Sequence, residues 1–273
     1  MGLRIQHNIS ALNTHRQLTI SDNALAKSLE RLSSGYRINR AADDAAGLAI
    51  SQGMRADIAS YRVASRNVAE ANAMVQVAEG AYDQIGNMLT RLKELATQAS
   101  SANAGNDLAK IDAEAQQLIL EIDRIANSTE YAGSAIIDGT TATATFQVGA
   151  ANSANDQITA TFTDVNTDQL GIDSLSLGSV ASAQAALTNV DTAIASLSTS
   201  RGTLGAMQNR LGYAAANLST TIENVQAAES VIRDVDMAAE MTTFTKNQIL
   251  LQAGTAMLAQ ANAAPQAVLS LLS

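Results

Sequence analysis

Two adjacent carboxylates, Asp43-Asp44, and two histidines, His7 and His15, are the side chains best placed by type to do chemistry. A carboxylate pair can divide general-acid from general-base work when its two environments differ. This pair stands directly ahead of the helical pattern Ala45-Ala46-Gly47-Leu48. There, short acidic side chains cap free backbone N–H groups and oppose the positive end of the helix dipole, and that use is expected here. The histidines lie eight residues apart with no HExxH arrangement, the spacing that sets two imidazoles on one helix face for zinc. Exposed polar positions are expected for both. The chain has no cysteine, so thiolate ligands and a disulfide framework are excluded. The glycine-bearing run from Gly171 to Gly178 lacks a phosphate-loop lysine. Asn8, Asn127 and Asn217 open Asn-x-Ser/Thr triplets, a short pattern that matches often by chance. No catalytic, cofactor-binding or metal-binding residue is expected.

The elements available to position any site are nearly all helices. Of 273 residues, 47% are hydrophobic but only 3% aromatic, with no Trp. Apolar surface made from Ala, Leu, Ile and Val suits close helix packing better than a roomy ligand pocket. The one proline, Pro265, leaves everything before it free of that helix breaker. A net charge of -9 argues against a nucleic-acid partner. Charge is segregated: Met1 to Arg40 carries Arg4, Arg16, Lys27, Arg31, Arg37 and Arg40 against Asp22 and Glu30, and Glu223 to Lys246 is acidic in balance. Opposite signs near the two ends favour their pairing, in a salt-dependent way. Met1 to Ser10 lacks the apolar core of a cleavable secretory signal.

The first helix is expected from about Ile5 to Ser34. Ile9 and Ile20 lie eleven apart, as do Leu18 and Leu29, with Leu12, Leu25 and Leu32 nearby, a spacing that drifts little around a helix. Gly35 falls where a left-handed cap is expected. A second helix follows Asp43-Asp44 and runs to about Ser100. Its seam repeats every seven residues through Met54, Tyr61, Val68, Val75, Tyr82 and Leu89, with Ala64, Ala71, Ala78, Ile85 and Leu92 as companions. A shorter helix carries Ile111, Leu118 and Ile125 beside Leu108, Ala115 and Ile122. From Tyr131 to about Leu177 the alternation in Thr145-Phe146-Gln147-Val148 and Ile158-Thr159-Ala160-Thr161-Phe162 predicts one or two β-hairpins. A long helix resumes near Ser182, with Val190, Leu197, Leu204, Leu211, Leu218, Val225 and Ile232 seven apart. Its companion positions, Ile194, Arg201, Gln208, Ala215 and Ile222, are mixed, which suits a face shared with a neighbouring molecule. After a break near Arg233 to Met237, the 27 residues Asn247 to Ser273 carry no charge yet keep helical spacing. Such a helix gains little by facing water and is stabilised by being surrounded, most simply by copies of itself. Its Gln, Asn, Gly254 and Pro265 make it no membrane span.

The segment Leu32-Ser33-Ser34-Gly35-Tyr36-Arg37-Ile38-Asn39-Arg40-Ala41-Ala42-Asp43-Asp44-Ala45-Ala46-Gly47-Leu48-Ala49-Ile50-Ser51 resembles the hallmark of bacterial flagellins. Ile232-Arg233-Asp234-Val235-Asp236-Met237-Ala238 resembles that family's link into its last helix. Ala253-Gly254-Thr255-Ala256-Met257-Leu258-Ala259-Gln260-Ala261-Asn262 and Pro265-Gln266 resemble the last helix itself. The likeness covers essentially the whole chain, without the extra outer domains many flagellins carry. It implies a mainly α, elongated coiled-coil rod with a small β-hairpin region at about 131–177 and paired terminal helices. Residues 1–40 with 235–273 would form an inner coiled-coil domain, and 41–234 a rod-like helical domain.

The implied function is a non-enzymatic subunit that polymerises into the flagellar filament, the helical propeller of motility. It would be secreted unfolded by type III export, with the export apparatus and an export chaperone as partners. At the filament its partners would be copies of itself, the filament cap and the hook-junction proteins, with no cofactor. The assembly core would be Ile9, Leu12, Leu25, Leu29, Leu32, Leu250, Met257, Leu258 and Leu269. Leu89-Thr90-Arg91-Leu92-Lys93-Glu94-Leu95 resembles the segment read by the vertebrate flagellin-sensing Toll-like receptor, which implies contacts at Arg91, Leu95 and Glu114. Lys93 stands where Arg is common, and Lys lacks the planar fork of Arg. Rival readings are a hook–filament junction protein, which shares the end helices, and a chemoreceptor-type signalling coiled coil, which would normally span a membrane.

Overall fold

A computed structural model describes residues 7–101, 105, 107–141 and 143–269, with side chains through residue 263. The chain is mainly helical: α1 (Ile9–Ser34), α2 (Ala45–Ala99), α3 (Leu108–Ser128), α4 (Val180–Arg233) and α5 (Met237–Leu269). Four short strands lie between α3 and α4, namely β1 (Glu130–Tyr131), β2 (Ser134–Ala135), β3 (Thr143–Gln147) and β4 (Gln157–Thr161). Two compact units result. One is built from the chain up to Ala56 together with the chain from Asn224 onward, the other from Asp57–Glu223. These divisions fall inside α2 and α4, whereas the resemblance implies bounds at 40/41 and 234/235.

Ile5, the expected start of α1, lies outside the described residues. Asn8 is not helical, and its Oδ1 accepts from Ala11 N at 3.0 Å, capping a helix that begins at Ile9. At the other end Gly35 takes φ 77 and donates to Arg31 O at 2.8 Å. A side chain there would meet the left-handed penalty that glycine escapes.

In the 57–223 unit, α2 buries its heptad seam as expected through Val68, Val75, Tyr82 and Leu89, with Ala64, Ala71, Ala78, Ile85 and Leu92. On α4, Val190, Leu197, Leu204, Leu211 and Leu218 are buried. The companion row differs from expectation. Ala186, Ala193, Ser200 and Met207 are buried, whereas Arg201 and Gln208 reach sideways to α2. Arg201 pairs with Asp83 at 3.0 Å, Gln208 donates to Glu79 at 2.6 Å, and Lys93 pairs with Asp191 at 2.6 Å. These pairs run in opposite directions along the two helices, so α2 and α4 are antiparallel here. Small side chains in half of each seam let the backbones approach closely.

On α3 the buried row is Ile111, Ala115, Ile119, Ile122 and Ala126, with the expected Leu118 and Ile125 only half-buried. Asp123 accepts from Thr167 N and Oγ1 at 2.9 and 2.8 Å, Asp112 from Leu177 N, and Gln116 donates to Leu175 O at 2.7 Å. These three side chains hold the segment 163–178 while its Val165, Leu170, Ile172, Leu175 and Leu177 enter the core. Of the one or two hairpins expected, the two alternating segments form one, and a second, short one forms at Glu130–Ala135, where no alternation marks it. β3 and β4 pair antiparallel with Phe146 opposite Ile158, and β4 turns Ile158 and Ala160 inward. β1 and β2 join through Ala132 and Gly133 at φ 52 and 81, the two positive angles of a tight hairpin turn. Tyr82 ties α2 to the end of β4, donating to Thr163 O at 2.6 Å and accepting from Thr163 N at 3.1 Å.

Candidate assembly interface

The first unit is organised around the pairing of α1 with α5. Three contacts set an antiparallel register. Asn8 Nδ2 donates to Ala261 O at 2.8 Å, Arg31 pairs with Glu240 at 3.4 Å, and a Cβ added at Gly254 would stand 2.9 Å from Leu18 Cδ1. The Arg31–Glu240 pair is one instance of the opposite charge expected at the two ends. Among the covered side chains of α1, Leu18, Ser21, Leu25, Ser28 and Leu32 form one row, and those covered on α5 are Glu240, Phe244, Asn247, Leu251, Gly254, Leu258 and Ala261. Both rows alternate by three and four residues, the spacing of a coiled-coil seam. Every second place is small or polar, and Ser21, Ser28 and Glu240 are the most buried.

Leu18, Leu25 and Leu32 on α1 and Phe244, Leu251 and Leu258 on α5 take the remaining places of the seam, half-buried. The other described large apolar side chains of the two helices point elsewhere. Ile9, Leu12, Ile20 and Leu29 on α1, and Met237, Met241, Ile249, Leu250 and Met257 on α5, are exposed. Of the assembly core expected from sequence, Ile9, Leu12, Leu29, Leu250 and Met257 thus face outward, and Leu25, Leu32 and Leu258 are half-buried in the seam. Leu269 lies in the last turn of α5, outside the residues whose side chains are described. The eleven-residue stripe of Ile9 and Ile20 is an outward one, and the seven-residue row Leu18, Leu25, Leu32 is what meets α5. Reading Ser21 and Ser28 in that row, as small residues on the same helix face, would have found the seam.

The hallmark segment forms the hinge of this unit. Tyr36 bridges Asp234, Arg37 N donates to Arg233 O at 2.7 Å, and Val235 N donates to Gly35 O at 3.0 Å. Arg37 Nη2 donates to Ile232 O at 2.7 Å, and the Arg233 guanidinium lies 4.1 Å from the Tyr36 ring centroid. Asp44 is the expected helix cap, accepting from Gly47 N at 2.9 Å. Asp43 does something else. It pairs with Lys27 at 2.6 Å and accepts from the Asn39 and Arg40 N–H groups. The Lys27 bond, then the Arg40 N–H, hold its carboxyl down at about 2, below the ordinary 3.8. Gly47 is needed because a Cβ there would run into the Asp44 carboxylate and come within 2.8 Å of Ile38 Cδ1.

The receptor-like patch lies in the other unit. Arg91 spans to Glu114 with Nε and Nη2 at 3.0 and 2.8 Å and holds Glu94 at 2.9 Å. Glu94 and Glu114 raise the Arg91 pKa. Leu95 departs from expectation as a surface contact: it is 1% exposed and belongs to the core. It follows the seam residue Leu92 by three positions, the step that keeps a side chain on the buried face of α2. Among the described residues there is no group of three His, Cys, Asp or Glu side chains that could hold a metal, and no helix long and apolar enough to cross a membrane.

A helical chain whose end helices pair through a seam half made of small or polar side chains, and leave many of their large apolar side chains uncovered, belongs to the class of self-assembling structural proteins. Residues 5–142 match the family described as the bacterial flagellin N-terminal helical region, and 187–272 the bacterial flagellin C-terminal helical region. The flagellin of Halalkalibacterium halodurans is 46% identical over 98% of this chain and 99% of its own length. That of Bacillus subtilis is 44% identical over 99% and 100%. The crystal structure of Bacillus cereus flagellin aligns with a TM-score of 0.51 at 30% identity, over 60% of this chain and 94% of that one. The chain belongs to the bacterial flagellin family. Its function is that of a structural subunit of the flagellar filament.

Proposed function

We propose that α1 and α5 are the polymerising element of the subunit. Ile9, Leu12, Leu29, Leu250 and Met257 are covered by the same helices of other copies, while Leu25, Leu32 and Leu258 hold the pair itself. Leu269 joins the covered set by its spacing. The observation that carries this reading is the set of large apolar side chains the pair leaves exposed, Ile9, Leu12, Ile20 and Leu29 on α1 and Met237, Met241, Ile249, Leu250 and Met257 on α5, while Ser21, Ser28 and Glu240 are the most buried places of the seam. Each large apolar side chain taken from water contributes roughly 1.5–3 kcal/mol, so a few per subunit offset the cost of ordering the ends on assembly. Delivery is by unfolded type III export with an export chaperone, followed by insertion beneath the cap onto the hook-junction proteins. A chain free of cysteine and of crosslinks suits threading.

The test uses heat-dissociated protein, precipitant salt and negative-stain electron microscopy, beside a copy lacking Asn247 to Ser273. Long, thin filaments from the intact chain alone are expected. Short oligomers that never elongate would return the reading to a junction or signalling protein.

The Arg91–Glu114 fork serves a second reader, the flagellin-sensing Toll-like receptor, in this proposal. Both side chains are exposed and already oriented, and Leu95 acts from beneath by fixing the helix face. In a receptor reporter assay Arg91→Ala and Glu114→Ala lower the response while the far-ultraviolet circular dichroism is unchanged. An unaltered response from both would remove the receptor role.

A further inference from the structure

Methionine is unevenly distributed by exposure. In the 57–223 unit Met74 and Met207 are buried, at 7% and 9% exposed, and Met88 is half-buried. On α5 Met237, Met241 and Met257 are 49%, 49% and 61% exposed. Met237 and Met241 are one turn apart and share a face. Met257 follows Met241 by sixteen residues, four turns and about 160° further round the helix, on the side of Leu250. The thioethers therefore lie on two outward faces of α5, and no single neighbouring helix covers both. Met241 also lines a shallow open hollow with Thr242, Thr245, Lys246 and Ile249, so its sulfur is reachable by a small solute.

We propose that α5 is a reversible oxidation site governing assembly, in which a hydroperoxide converts Met237, Met241 and Met257 to sulfoxides in the free chain. This rests on the reading that other copies cover these faces in the filament. In each event a sulfur lone pair attacks the peroxide, an S–O bond forms and the O–O bond breaks. Sulfur is oxidised by two electrons, and with hydrogen peroxide the departing oxygen leaves as water. The product is polar and larger, and burying it without a hydrogen-bond donor opposes the packing that an apolar thioether favours. Enzymatic reduction of the sulfoxide by a thiol restores the thioether. Assembly itself shields the sulfurs, so free subunits are sensitive and the finished polymer is not.

Full-length protein, depolymerised or polymerised, is exposed to hydrogen peroxide, quenched, digested and read by mass spectrometry, with Met74 and Met207 as internal references. In free chain the three α5 sulfurs oxidise at least about tenfold faster than the references, following exposure, and in polymer they slow to the reference rate. Oxidised chain elongates filament seeds at least about tenfold more slowly, and sulfoxide reductase with dithiothreitol restores the rate. A triple Met237→Leu, Met241→Leu, Met257→Leu chain, whatever its own untreated elongation rate, loses none of that rate to peroxide. Unchanged α5 oxidation on polymerisation, or elongation of oxidised chain at the untreated rate, overturns the proposal. So does a triple variant as peroxide-sensitive as the original. Untreated chain that never elongates overturns the assembly reading instead. The oxidation and repair of the original chain decide the matter even where the triple variant folds poorly.

Discussion

The 57–223 unit and the α1–α5 pair both set long helices antiparallel, yet they fill the space between them in opposite ways. Across α2 and α4 the seams carry Val75, Tyr82, Ile85, Leu89, Leu197, Leu204 and Leu211, all buried. The hairpins and the segment 163–178 close over the same core. Between α1 and α5 the most buried positions are Ser21, Ser28 and Glu240, the seam leucines and Phe244 are only half-buried, and Ile9, Leu12, Ile20, Leu29, Ile249, Leu250 and the three methionines of α5 stay in water. The first arrangement draws its stability from within one chain. The second leaves apolar surface exposed on the subunit, the surface that the proposed function gives to other copies. Net burial of large apolar side chains, more than helix length, separates a self-sufficient unit from an assembling one.

The sharpest way to break this contrast is to truncate a leucine in each region. Leu89→Ala should destabilise the monomer by about 2–5 kcal/mol in urea denaturation, because it empties a packed core. Leu250→Ala should shift the same curve by less than about 0.5 kcal/mol, as an exposed site does, and yet abolish elongation on seeds. Equal denaturation shifts would end the distinction.

Tyr82→Phe sharpens it next. The loss of one hydroxyl strands the Thr163 N–H and C=O, at a cost of about 1–3 kcal/mol, read in the same denaturation experiment. Burial pushes the Tyr82 phenol up to about 12 from 10.0. Its folded pKa is raised, so that contribution is complete below 10 and fades as pH climbs through 12. The absorbance titration of Tyr82→Phe should lack that late-ionising phenol.

In the hinge, Asp44→Ala removes a helix cap worth about 0.5–2 kcal/mol. Its thermal transition should fall accordingly, and an unchanged transition would show that the hinge adds nothing to the isolated subunit. The smallest effect belongs to Asp43. Its folded pKa is depressed to about 2, so its contribution is present above the ordinary 3.8 and is lost as pH falls from there through 2. Asp43→Asn should flatten that part of the acid-melting curve, and the Lys27 bond should be traceable by the same loss in Lys27→Met.

The seam of α2 was legible because residues seven apart are neighbours on any long helix, whatever packs against them. The β3–β4 hairpin was legible because alternation such as Ile158, Ala160, Phe162 has one structural use, whereas the two-residue strands β1 and β2 are too short to alternate. The companion row of α4 was not. Ile194, Arg201 and Gln208 are as regular as Ala193, Ser200 and Met207, and the choice between the rows depends on how closely α2 approaches. The segment 163–178 shows no period, since Asp112, Gln116 and Asp123 on α3 hold its backbone from a distance in sequence. Leu95 read as a surface residue by resemblance, but its place three residues after Leu92 puts it on the buried face.

The residues alone settled the helical class, the positions of the turns, the lack of thiol chemistry and the uncharged tail, because composition and short-range spacing act through local backbone physics. They also carried the family likeness, in the hallmark segment and the last helix. Which side of α1 meets α5 was decided by the tertiary structure. Leucines stand on more than one face of α1, and the register set by Asn8 with Ala261 and Arg31 with Glu240 brings Ser21 and Ser28 inward. Facing partners choose a seam by the size of what must fit between two backbones, a quantity that no single helix contains.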